Sequence, residues 1–154
     1  MSQPEVIFAE DLPYWMTGKS SPDVWIERTV KVLESLGGIL LGEAFGKDGS
    51  GRSAYMLSAR IQEETYRAIW PVSPSRTRNE RAAKIQAATM LYHDIKARSV
   101  SAYVLGTRAA FFTFLELPGG RTPAEMSVQE VSKALGLFAL PSGEIVDGEY
   151  LERE

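Results

Sequence analysis

Two hydrophobic periods alternate along the chain, and the change between them divides it into elements. Ile26, Val30 and Leu33 recur at helical spacing after Ser21-Pro22, an N-cap followed by proline at the first helical position, and the run stops at Gly37-Gly38. This predicts a first helix. From Ile39 to Val72 the period becomes two. Ile39, Leu41 and Phe45 are assigned to one face of a first strand, which ends in the glycine-rich turn Gly46-Lys47-Asp48-Gly49-Ser50-Gly51. Ser53 to Gln62 and Thr65 to Val72 read as two further strands around a tight turn at Glu63-Glu64. Asn79 is a predicted N-cap for a long helix with Ala82, Ile85, Ala88, Tyr92 and Ile95 at i, i+3 or i+4, interrupted at Gly106. Thr107 to Leu117 predicts another helix, covering the sheet or joining subunits. Capping-box patterns at Thr122–Glu125 and Ser127–Glu130 predict a last helix to about Leu135 that stops at Gly136.

The sum is an α+β fold: helix, three-stranded antiparallel sheet, long helix, then further C-terminal helices. Residues 1–20 form an arm whose aromatics dock on the body or on a neighbouring subunit, residues 21–140 a single domain, and residues 141–154 an acidic tail. In the predicted hairpin register Ile61 faces Tyr66, Ala59 faces Ala68 and Leu57 faces Trp70, all on one apolar face. The other face then sets Arg60 opposite Arg67, a like-charge pair that destabilises a hairpin by up to about 1 kcal/mol unless an anion lies between them.

Composition adds the expectation of one ordinary soluble domain. The chain has 154 residues, no cysteine, one histidine and a formal net charge of −3. The absence of cysteine excludes disulfides, thiolate metal sites and cysteine nucleophiles. No apolar run approaches the ~20 residues of a membrane span and no basic leader opens the chain, so a cytoplasmic protein without membrane partners is expected.

The net charge hides a segregation. Residues 1–64 carry a balance of −4, residues 65–121 a balance of +6, and residues 122–154 a balance of −5. A basic middle between acidic ends is the pattern of a polyanion-binding face with competing acidic segments. Arg76 and Arg78 fall in the loop before the long helix, and Arg81 and Lys84 in its first turns, where they oppose the helix dipole unless a phosphate sits there.

Catalytic chemistry is not expected. His93 stands alone beside Asp94, and no His/carboxylate cluster has metal-ligand spacing. The Gly42–Lys47 string is one residue short of a phosphate-binding loop and is followed by Asp48 where Ser or Thr would hold magnesium. Neither a cofactor nor a metal is expected.

Two nucleic-acid-binding families use a related arrangement, and residues here resemble both. Ala83-Lys84-Ile85-Gln86-Ala87-Ala88-Thr89-Met90-Leu91 resembles the start of the second helix in double-stranded-RNA-binding domains, which implies phosphate contacts by Arg81 and Lys84. Glu80 stands where that family usually has lysine, and its Gly-Pro-x-His loop is missing. Glu64-Thr65-Tyr66-Arg67-Ala68-Ile69 is similar to the last core strand of single-strand DNA annealing proteins of the phage and eukaryotic recombination type. That resemblance implies a homo-oligomeric ring or filament lining a basic groove. The expectation is therefore a non-enzymatic protein that binds single-stranded DNA and promotes annealing, with Arg60, Arg67, Arg76, Arg78, Arg81 and Lys84 as phosphate contacts. Double-stranded RNA binding and protein adaptor function are the alternatives.

Overall fold

The computed structural model describes residues 6–138. Its order is a 3-10 turn (Ala9–Asp11), α1 (Pro22–Ser35), β1 (Ile39–Lys47), β2 (Ser53–Ile61), β3 (Glu64–Pro71), α2 (Glu80–Leu105), α3 (Thr107–Ala110), 3-10 turns at Phe112–Phe114 and Pro123–Glu125, and α4 (Val128–Phe138). This is the expected α+β class. The acidic tail, 141–154, lies outside the described residues.

Pro22 opens α1 as expected, although the Ser21 side chain makes no capping bond. At the other end the Gly37 N–H donates to the Glu34 carbonyl at 2.9 Å and the Gly38 N–H to the Leu33 carbonyl at 3.0 Å. Gly37 reaches this turn with φ +83, and a Cβ on Gly38 would lie 2.7 Å from the Leu33 oxygen. Both glycines are thus required for the chain to leave the helix and enter β1.

The three strands form an antiparallel meander in the order β1-β2-β3. Tyr55, Leu57, Ala59 and Ile61 of β2 are buried on one face, with Tyr66 and Ala68 of β3 beside them. They share a core with Ile26 and Leu33 of α1 and with Ala87, Ala88, Leu91 and Ile95 of α2. Each large apolar side chain buried there contributes about 1.5–3 kcal/mol.

The hairpin differs from expectation in register. Its turn is Gln62-Glu63, one residue earlier, with Gln62 at φ +59 supplying the left-handed conformation usually left to Gly or Asn. Moving the turn by one residue slides the pairing by two, so Leu57 faces Ala68, Ala59 faces Tyr66 and Arg60 faces Thr65. A two-residue slip keeps every side chain on its predicted face, and for that reason the predicted core residues remain the core. Arg67 stands opposite Ser58, so the Arg60/Arg67 pairing does not exist.

A second difference lies in β1. Its register against β2 shifts between Leu40 and Gly42, which makes Leu41 a bulged residue. Leu40 pairs with buried Ala59, Ile39 with exposed Arg60, and Phe45 with buried Tyr55. Ile39 and Phe45 therefore lie on opposite faces, where unbroken alternation had put them together.

In α2 the Asn79 side chain caps as predicted, accepting from the Ala82 N–H at 3.1 Å, and the helix ends at Gly106, φ 92. Its buried arc runs through Ala83, Gln86, Ala87, Ala88 and Leu91, leaving predicted core positions Ala82, Ile85 and Tyr92 only half-buried. Small alanines let the helix pack against both α1 and the sheet, so polarity alone does not mark its inner face. Thr107 to Leu117 is not one helix: after α3 it makes a 3-10 turn, and Leu115 bridges to Tyr66 at the outer edge of β3. Its Phe111, Phe114, Leu115 and Leu117 are core. In α4, Ser127 and Glu130 form the expected reciprocal cap, at 3.1 and 2.8 Å. The helix passes through Gly136 to Phe138.

The arm docks on its own chain. The Gln86 amide, 1% exposed, donates to the carbonyls of Ala9, Leu12 and Pro13 at 2.8, 3.3 and 2.9 Å. Tyr14 stacks on His93 with centroids 4.7 Å apart.

Candidate nucleic-acid interface

The sheet register separates the six predicted phosphate contacts. Arg60 is at the β2–β3 turn, seven residues along β2 from Ser53, which at ~3.3 Å per residue is about 23 Å. It is exposed and apart from the residues preceding α2. Arg67 is committed elsewhere: its guanidinium donates to Glu116 at 2.6 Å, to Glu125 at 2.6 Å and to the Gly120 carbonyl at 3.0 Å. With side-chain exposures of 23% for the arginine and 28% and 31% for the two acids, this is a half-buried clamp between β3 and the C-terminal segment. Desolvation works to raise the Glu125 pKa, but the Thr122 amide and Arg67 outweigh it and hold the carboxyl below its ordinary value.

The same fate meets most of the basic middle. Among the described residues Arg76 pairs with Asp11, Arg98 with Asp94, Arg108 with Glu64 and Arg121 with Glu130. Acids of the flanks meet Arg67, Arg76, Arg108 and Arg121, so charge segregated in sequence is partly neutralised in space. Arg78, Arg81 and Lys84 are in none of the salt bridges among the described residues.

Arg78 and Lys84 meet in a cleft of about 1020 Å³ at the end of the sheet where β1 and β2 join and β3 hands over to α2. Volume alone puts it at the upper limit of the roughly 300–1,000 Å³ typical of small-ligand pockets. Lys47 and Arg52, from the two ends of the β1–β2 loop, also line it. The cleft thus has four basic side chains and one acidic one, Glu80. Phe45 supplies an aromatic wall, 42% exposed, which lies against Tyr55 at 4.7 Å and carries the Lys84 ammonium 4.2 Å above its ring centre. Arg81 is exposed on α2 but does not line the cleft.

Local chemistry fixes the two loops around it. In the β1–β2 loop Asp48 Oδ1 accepts from the Ser50 amide and hydroxyl and from the Arg52 amide, and Oδ2 accepts from Arg52 Nε at 3.1 Å. Those bonds, the Ser50 hydroxyl foremost, hold the Asp48 carboxyl at about 2. The Gly42–Lys47 string lies within β1 and opens no helix. In the β3–α2 loop Arg78 adopts φ 59, uncommon for a side chain of its size. Its amide donates to the Ser75 carbonyl at 3.1 Å.

Sequence reasoning missed Lys47, Arg52 and Phe45. Their signal was a pair of cations flanking a hairpin loop, obscured because they lie in a segment whose net charge is negative. Among the described residues no group of three or more His, Cys, Asp or Glu side chains is placed to hold a metal, and no helix is long and apolar enough to cross a membrane. Compared with known proteins, the chain matches no family model, no curated protein and no solved structure.

Proposed function

We propose that the protein binds single-stranded nucleic acid, DNA in the first instance, through the cleft between the β1–β2 loop and the start of α2. One observation carries this reading: Lys47, Arg52, Arg78 and Lys84 converge from three separate segments on a cleft walled by the exposed ring of Phe45. Cations that track a phosphate backbone beside an aromatic surface for a base are the combination that sequence-tolerant single-strand binding requires. A base reaches the Phe45 ring as the Lys84 ammonium leaves it for a phosphate, whereas a duplex keeps its bases stacked on one another. Four engaged phosphates correspond to a slope of log K against log salt of about −3 for single strands.

Annealing by an oligomer is the finer part of the proposal. It is supported by the C-terminal end of α2, where Val100, Tyr103, Val104 and Leu105 are 58 to 82% exposed. Such an apolar patch on a helix is characteristic of association surfaces. The test is fluorescence anisotropy with single-stranded DNA, duplex DNA and duplex RNA at two salt concentrations, with light scattering on the same sample. Tighter binding of the single strand, weakened by salt, is the expected result. Equal or tighter binding of duplex RNA replaces this reading with the duplex one, and no retention at low salt removes both.

A further inference from the structure

The arm brings two carboxylates to the loop that borders this cleft. Glu10 Oε1 accepts from the Arg76 amide at 2.9 Å, and Oε2 accepts from the Ser75 hydroxyl at 2.7 Å and from the Thr77 hydroxyl and amide at 3.3 and 3.4 Å. Asp11 forks the Arg76 guanidinium at 3.0 and 2.6 Å. Two backbone amides, two hydroxyls and a guanidinium are the donor set that holds a phosphate group in proteins. Ser75 belongs to both structures: it donates to Glu10 and it lines the cleft.

We propose that Glu10 and Asp11 are internal occupants of an anion-binding loop, which compete with a nucleic-acid phosphate for the loop's donors and keep Arg76 out of the cleft's set of cations. The inference rests on the function proposed above and adds a regulator to it. Its physical basis is the division of labour in the arm. The backbone of residues 9–13 is fixed by Gln86 and by the Ala9 N–H, which donates to the Pro74 carbonyl at 2.8 Å. Glu10 and Asp11 reach the loop only through their side chains, and the Arg76–Asp11 pair is 52% and 46% exposed, so solvent and salt weaken it. The side chains can therefore rotate off the loop while the arm stays docked. The Glu10 carboxyl is drawn down to about 2: desolvation opposes this, but the Ser75 hydroxyl and the Arg76 and Thr77 amides prevail, so it is an anion at neutral pH. Arg76 also lies over the Phe8 ring at 4.6 Å, which keeps it near the loop when Asp11 leaves.

The full chain carrying Glu10→Gln and Asp11→Asn keeps acceptors for Ser75 and Arg76 but removes both charges. Titrated into a fluorescein-labelled oligothymidine, it should bind on the order of 5- to 10-fold more tightly than the unmodified chain, with a salt slope steeper by about 0.7, one additional phosphate. Adding Arg76→Ala should abolish the gain, while Arg76→Ala alone should change affinity less than about twofold, since that arginine is already occupied. Asp11→Asn alone leaves the Glu10 contacts in place and should give a smaller gain in the same direction. If the unmodified chain binds with salt-dependent affinity and the charge-removed variants bind equally or more weakly, with melting curves confirming that they are folded, the latch is wrong and the function stands. Should the double variant fail to fold, the Asp11→Asn comparison decides. If neither the chain nor any variant binds at low salt, both proposals fall.

Discussion

The half of the sheet near the β2–β3 turn and the half near the cleft carry comparable numbers of cations and use them differently. Toward the turn, Arg67 is clamped between Glu116 and Glu125, and Arg108 pairs with Glu64. At the cleft Lys47, Arg78 and Lys84 are in no salt bridge among the described residues, while Arg52 is held by Asp48 within its own loop. The difference teaches that acids brought from distant segments take up the cations they reach, Arg67 and Arg108, and leave those of the cleft, where Arg52 is paired only within its own loop; Arg60, in no salt bridge among the described residues, stands apart from the cleft. The C-terminal segment, returning to β3 through the Leu115–Tyr66 bridge, brings its glutamates to Arg67. The arm brings Glu10 and Asp11 only as far as the rim of the cleft, reaching Arg76 and not Arg78.

The comparison breaks most visibly under paired substitutions. Arg78→Ala with Lys84→Ala should lower affinity for a single-stranded oligonucleotide about 30-fold, roughly 2 kcal/mol for two charged contacts. Arg60→Ala with Arg67→Ala should leave affinity within about twofold. That pair should instead lower stability: losing the half-buried Arg67 clamp costs about 1–2 kcal/mol, read as a drop of several degrees in Tm. Phe45→Ala should weaken single-strand binding by about 1 kcal/mol through loss of a stacking surface, without altering the salt slope. A change in slope instead would assign the effect to Lys84, whose ammonium rests on that ring.

The smallest effect is on acid stability. Glu10 and Asp48 have folded pKa values lowered from 4.5 and 3.8 to about 2, so the unfolded state binds more protons as the solution becomes acidic. Their contribution is complete above about pH 5 and is lost as pH falls toward 2. Melting temperature followed from pH 7 downward should be level and then decline in that window, and the decline should be shallower in Glu10→Gln.

The class of fold and most of the core were legible because periodicity survives local error. A register slip of two residues left Leu57, Ala59, Ile61, Tyr66 and Ala68 on their predicted face. The bulge at Leu41 was not legible: one extra residue inverts every position before it, and nothing in Ile39-Leu40-Leu41-Gly42 marks where it falls. Gln86 was hidden for a related reason, being a polar residue buried because distant carbonyls satisfy it. Of the six basic residues expected to contact phosphate, Arg78 and Lys84 line the cleft, one in the loop before α2 and one in its first turns, close enough in sequence for a local pattern to join them. The engagement of Arg67 was not legible because its partners lie 49 and 58 residues away, beyond any local pattern.

The central claim is that binding runs through the cleft and not through the Arg60/Arg67 side of the sheet. The salt dependence of single-strand affinity, measured for the unmodified chain, for Arg78→Ala/Lys84→Ala and for Arg60→Ala/Arg67→Ala, tests it most directly. A slope of about −3 that falls by about 1.4 in the cleft variant and is unchanged in the other is the predicted result. A flat response in the unmodified chain, or a loss of slope confined to Arg60→Ala/Arg67→Ala, would contradict it.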